Sequence, residues 1–271
     1  MDNMAWLQTK IYTRKFFRTL KKESIISIII GVIITILVMS VTKKDMFENF
    51  EGTKSGLFAL VCVCIWVGIF NSIQLVCREK NDIVKDELDK SLHATSYMAA
   101  HFIYQFFLCL IQSFIVFIIF YIFMADKGDI GSPIAYLITI FLVMYASDAM
   151  AFVISTAVPN PIVAMTVMPL LLLIQLVMAG VLFKLEDASE MVANITISKW
   201  GMSAFGMTGD ITDIKSKLGE LIDPATDSAN NMFKGDVGDI LICWLIFILF
   251  IVAFYFLSVA ALKLTTRKVK K

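Results

Sequence analysis

Six apolar runs, at 24–41, 56–77, 101–124, 134–157, 162–183 and 238–262, each have the length of a membrane span. A helix of about 20 residues, rising 1.5 Å per residue, crosses the roughly 30 Å hydrocarbon layer of a bilayer. No water is present there to satisfy backbone N–H and C=O groups, and a helix satisfies its own. The expected fold class is therefore an all-α integral membrane protein with six transmembrane helices. The composition fits this class. Hydrophobic residues make up 58% and charged residues 17%, with a mean hydropathy of +0.79, whereas soluble domains carry about 25% charged residues. Six spans in 271 residues leave little chain for an extramembrane enzyme domain.

Lysine and arginine placement sets the orientation, because cytoplasmic loops hold the excess. The N-terminal segment carries Lys10, Arg14, Lys15, Arg18, Lys21 and Lys22. The loop after the second run carries Arg78, Lys80, Lys85 and Lys90, and the tail carries Lys263, Arg267, Lys268, Lys270 and Lys271. Six spans place all three segments on one side, so both termini are expected to be cytoplasmic. Residues 6–22 interleave Leu7, Ile11, Phe16, Phe17 and Leu20 with these cations, the pattern of an interfacial amphipathic helix. No small-residue cleavage site follows, so the first apolar run is expected to remain as an anchor.

The loop 78–100 places Ile83, Glu87 and Lys90, and Val84, Leu88 and Leu92, at helical spacing, which predicts a short charged helix facing the cytosol. The outer loop 184–237 is too long for a turn. Its apolar stretch 191–205, centred on Trp200, predicts short helices dipping into the outer interface, and 206–235 reads as an exposed loop with a helix near 214–222. The segment 157–161 contains Pro159 and Pro161 and predicts a tight hairpin, while Pro169 is expected to loosen the fifth span. Asn194-Ile195-Thr196 matches a glycosylation acceptor tripeptide.

No catalytic signature is present: there is no nucleotide-cradling G-x-x-x-x-G-K-[ST], no H-E-x-x-H and no G-x-S-x-G. Cys62, Cys64, Cys77, Cys109 and Cys243 all fall in or beside apolar runs and read as small hydrophobes. Polar residues inside the spans are few. Asn71, Gln74, Gln105, Gln112 and Gln175 read mainly as interhelical hydrogen-bonding groups. Asp148 is the one intramembrane charge. It is expected in the inner half of its span, where a neighbour's hydroxyl, a basic side chain at headgroup level or water could satisfy it, in a helix-packing role ahead of a transport-path role.

The order of elements resembles the membrane-spanning half of a type-2 ABC exporter, particularly the G subfamily and its bacterial relatives. Trp66-Val-Gly-Ile-Phe-Asn71-Ser-Ile followed by Arg78-Glu79-Lys80 resembles the second span of that family entering its intracellular loop. Ser96-Tyr97-Met-Ala resembles the start of its third span. Met178-Ala-Gly180-Val-Leu-Phe183 and Ile197-Ser198-Lys199-Trp200 resemble the end of the fifth span and the re-entrant outer helices. The polar loop 206–235 lacks the cysteines of some eukaryotic members, which favours a bacterial type.

The resemblance implies an N-terminal connecting helix over 1–23 and a six-helix domain over 24–271. It also implies a dimer, homo- or heteromeric, in the cell membrane, with ATP and Mg bound by a separate ATP-binding-cassette subunit and no cofactor in this chain. Besides that subunit, the second permease chain and membrane lipid, no nucleic-acid partner is expected. The charged helix would act as the coupling helix, through Arg78, Glu79, Ile83, Val84, Glu87, Leu88 and Leu92. The second and fifth spans would line the pathway, with Phe70, Asn71, Gln74, Gln175 and Met178 as substrate contacts. Two other classes compete. A channel or secondary transporter is disfavoured by the single ionisable residue and the lack of an inverted repeat. A membrane-embedded enzyme is disfavoured by the missing motifs.

Overall fold

The computed structural model describes residues 3–18, 22–48, 50–88, 93–127, 131–183, 188–209 and 235–269. These form α-helices α1 (Asn3–Arg18), α2 (Lys22–Thr42), α3 (Phe50–Ser72), α4 (Leu75–Leu88), α5 (Ala94–Met124), α6 (Pro133–Ala157), α7 (Pro161–Val177), α8 (Ala188–Ala193), α9 (Ile197–Thr208) and α10 (Val237–Val269). Five segments are long and apolar enough to cross a membrane: Ser24–Thr42, Phe50–Lys80, Ala94–Met124, Pro133–Ala157 and Val237–Thr265. The fifth of the six expected spans is instead the 17-residue α7. It stops six residues short of the expected end, and the chain then turns through Gly180 at φ +73°. Left-handed backbone is the region glycine alone enters without cost.

The core is the seam between α3 and α6. A Cβ added at Gly68 would lie 2.3 Å from the Met144 carbonyl and 2.9 Å from Ser147 Cβ, so only glycine lets the two backbones approach this closely. Small residues at helix crossings serve this purpose in lipid, where apolar side chains gain nothing by leaving the solvent. On the opposite face α3, α6 and α10 enclose α9, whose Ile197, Met202, Ala204 and Phe205 are fully buried. The stretch forms the short helices expected of it, α8 and α9, and α9 packs into the bundle. Its Phe205 stacks on Tyr136 near the start of α6, and Gly201 fits between Val61 and Val143.

The bundle has two ends. At one, the C-terminus of α6 meets α4, and α1 packs on the start of α5 through Phe16, whose ring lies 4.2 Å from His101 and 6.4 Å from Tyr97. The later part of α10 reaches the same end, where Tyr255 OH donates to Thr95 O at 3.3 Å. At the other end, α9 lies against the start of α6, and Trp244 Nε1 donates to Thr139 Oγ1 at 3.0 Å. Helix α7 runs from the first end to the second, leaving α6 through a hairpin in which Asn160 Oδ1 caps Val163 N at 2.9 Å.

Helix boundaries shift from those expected at two loops. The charged helix begins at Leu75, two residues after α3, and α5 begins at Ala94, ahead of its apolar run. Tertiary contacts explain both, since Ser96 and Tyr97 are buried against α1 and Val76 and Cys77 against α6. The expected helix near 214–222 lies outside the described residues.

Candidate functional site

Helix α4 is held to α6 by reciprocal capping. The first N–H groups of a helix lack intrahelical partners, and a serine, threonine, asparagine or aspartate just before the helix usually accepts from them. Here the acceptor comes from another helix: Ser155 Oγ of α6 takes Val76 N at 3.1 Å and Cys77 N at 3.2 Å. In return, Lys80 Nζ of α4 donates to Thr156 O at 2.8 Å and Val158 O at 2.9 Å, closing the C-terminus of α6. A cation at that end also matches the helix dipole. Lys80 is only 8% exposed, so this contact is an internal clamp and not a surface ion. Tyr97 OH donates to Glu79 Oε2 at 2.8 Å and ties α4 to α5 as well.

These contacts divide the expected coupling residues. Ile83 is 4% exposed and belongs to the core, and Glu79 is turned onto Tyr97, so neither is an outward anchor. The face of α4 that carries Val76, Glu79, Lys80 and Ile83 packs against the bundle. Arg78 is exposed, and the guanidinium donates to Gln74 Oε1. Val84, Glu87 and Leu88 lie within the last turns of α4. Leu92 lies outside the described residues.

Two polar clusters occupy the interior of the bundle. In the first, Ser72 Oγ donates to Asp148 Oδ1, and Gln105 Nε2 donates to Ser72 Oγ at 2.8 Å and to Asp148 Oδ1 at 3.2 Å. Asp148 is 0% exposed. Of the partners expected for this carboxylate, a neighbour's hydroxyl, that of Ser72, is the one present, and α3, α5 and α6 close around the group in place of water. In the second cluster, Ser27 Oγ donates to Asn71 Oδ1, while Asn71 Nδ2 donates to Gln112 Oε1 at 2.7 Å and Gln112 Nε2 returns to Asn71 Oδ1 at 3.2 Å. This joins α2, α3 and α5. Buried amides in a membrane need such partners, since an unmet one is costly.

The expected pathway residues do not converge within one chain. Phe70, Asn71 and Gln74 line a cavity of about 210 Å³ against α1, α2 and α5. Gln175 lies on another side of α3, in a smaller cavity of about 50 Å³ with Cys62, Trp66, Leu172 and Leu176. There Gln175 Oε1 accepts from Ser198 N at 3.0 Å and so caps α9. Met178, half-buried, is the C-cap of α7. This smaller cavity is the groove between α3 and α7, where Phe58, Cys62, Trp66, Leu172 and Leu176 line the wall beside Gln175. Three residues central to this geometry, Ser27, Ser72 and Ser155, carry no signal of their own in the sequence. A serine in an apolar helix is unremarkable until its partner is known.

Among the described residues no group of histidine, cysteine, aspartate or glutamate could hold a metal ion. No curated protein matches the chain. The family model described as ABC-2 type transporter matches residues 5–207. That match takes in α1 to α9 and spans well over half of the 271 residues, on a helical bundle with five segments of spanning length. The chain therefore belongs to the ABC-2 type transporter family and is a transmembrane permease component of an ABC transporter.

Proposed function

We propose that this permease is the pathway-forming half of an ATP-driven exporter. It works as a dimer by alternating access and couples through α4 to a separate ATP-binding-cassette subunit that holds ATP and Mg. The capping of α4 on α6 carries the reading. A cytoplasmic helix that received force from an ATPase would pass it directly to α6, and from there to the α3–α6 seam, because Ser155 and Lys80 join the two helices through four hydrogen bonds. The G-subfamily and bacterial likeness rests on the motif residues around Trp66, Ser96 and Ile197.

With Ile83 committed to the core, Leu88 becomes the residue most suited to meet the ATPase. It follows Ile83 by five positions, about 140° around the helix. An anchor of this kind fills a pocket in the partner while neighbouring charges set its orientation. The substrate path follows the α3–α7 groove with its apolar lining, closed by the second copy.

The test is Leu88→Ala against Leu182→Ala, an exposed control beyond the end of α7. Loss of one buried leucine anchor costs on the order of 2 kcal/mol, which weakens docking more than tenfold. Copurification of the ATPase and ATP-dependent transport should both fall in Leu88→Ala alone. Equal behaviour of the two variants would remove the coupling role, and transport by the permease without any ATPase would favour the channel or secondary-carrier class.

A further inference from the structure

We infer that the cavity bounded by α1, α2, α5 and the α3–α4 junction binds the headgroup of an anionic glycerophospholipid. The site is separate from the α3–α7 groove. Its volume of about 210 Å³ accommodates a phosphate with its glycerol, and not acyl chains. The mouth opens sideways. Ile26 forms part of the wall and is 52% exposed, and Ile25, Ile29 and Phe17 on the adjoining surface are exposed too. Acyl chains can therefore lie along the outside of α2 while the head turns inward.

The polar groups suit a phosphate ester with a hydroxyl. The Arg78 guanidinium stands in the wall, steadied by Gln74 Oε1, and presents a planar fork of N–H donors that matches phosphate oxygens. Ser24 Oγ and Tyr104 OH lie 2.9 Å apart. Such a pair uses one hydroxyl hydrogen between its members and keeps the other to donate. Further in, Gln105 Oε1 is buried without a hydrogen-bond partner and can accept from a headgroup hydroxyl. Alongside, α1 exposes Trp6, Leu7 and Ile11 among Lys10, Arg14 and Lys15, the mixture found on helices lying in an anionic interface. Lipid and soluble phosphate share the chemistry at Arg78, and the sideways apolar mouth selects the lipid.

Native mass spectrometry of the purified permease, equilibrated in detergent with phosphatidylglycerol, phosphatidylcholine or inorganic phosphate, tests the site. Phosphatidylglycerol should be retained about fivefold over phosphatidylcholine, the scale of one cation at a membrane surface. That preference should vanish in Arg78→Gln. It should also vanish in Leu108→Trp, whose indole fills the cavity, and persist in Lys43→Gln, which alters a cation at the opposite end of the bundle. Equal retention of the two lipids by the wild type overturns the inference. So does equal loss in Lys43→Gln, and so does displacement of the bound lipid by inorganic phosphate, which marks a soluble-anion site. Binding is read on the permease without an ATPase, so the outcome is independent of the coupling mechanism.

Discussion

Asp148 is a buried acceptor shared by two donors, and its chemistry follows from that. Ser72 Oγ and Gln105 Nε2 both donate to Oδ1. Replacing Asp148 with Asn keeps a carbonyl oxygen for them, whereas Leu leaves the Ser72 hydroxyl without its acceptor and Gln105 Nε2 with Ser72 Oγ alone. An unmet buried donor costs about 1–3 kcal/mol. Thermal unfolding in detergent should therefore show Asp148→Asn close to wild type and Asp148→Leu destabilised by at least that amount. Equal stability of the two variants would show that the cluster contributes nothing to packing. At this scale the need was readable in the sequence and the partner was not. Asn71, Gln105, Gln112 and Asp148 stand out in apolar runs, but two of their partners, Ser27 and Ser72, are residues that any membrane helix tolerates. The shielding of Asp148 was unreadable for a related reason: it depends on α3 approaching α6 at Gly68, and a single glycine in an apolar run announces no neighbour.

At the scale of elements, periodicity found the helices but misjudged those whose ends are fixed by other helices. α4 starts early because Ser155 supplies its N-terminal acceptor, and α5 starts early because Tyr97 packs on Tyr12 of α1. The clamp between α4 and α6 yields a direct expectation. Ser155→Ala deprives two N–H groups of their acceptor, and Lys80→Met deprives two carbonyls of their donor. Loss of a helix cap costs roughly 1 kcal/mol, and losing both ends of the clamp should exceed the 1.4 kcal/mol that corresponds to tenfold. Hydrogen exchange across 73–88 should accelerate about tenfold or more in the double variant, with α2 and α10 unchanged. Uniform acceleration over the whole bundle would mean that the two residues stabilise the fold generally and do not join α4 to α6 in particular.

For the whole molecule, the number of crossings decides on which side the C-terminus of α10 lies. Among the described residues five helices have spanning length, and an odd count would put the two termini on opposite sides of the membrane. The charge pattern requires the same side, since both the N-terminal segment and the tail are basic. Helix α7 resolves the conflict. Its 17 residues span about 25 Å, short of the roughly 30 Å hydrocarbon layer, yet it leaves the α4 end at Pro161 and meets α9 at the far end through Gln175 and Ser198. A short crossing helix is accommodated by local thinning of the bilayer or by chain that continues beyond its end, as 178–183 does here. Six crossings are therefore the expected count, with Pro161 on the same side as α4 and Ile195 on the other. Single cysteines placed at Asn160, Ile195 and Lys263, in a chain whose five native cysteines are replaced by alanine, read this out with a membrane-impermeant maleimide. In intact cells the reagent should label the Ile195 position alone, and permeabilisation should add the other two. Labelling at Lys263 in intact cells, with Asn160 and Ile195 on a common side, would make α7 a re-entrant hairpin and reduce the bundle to five crossings.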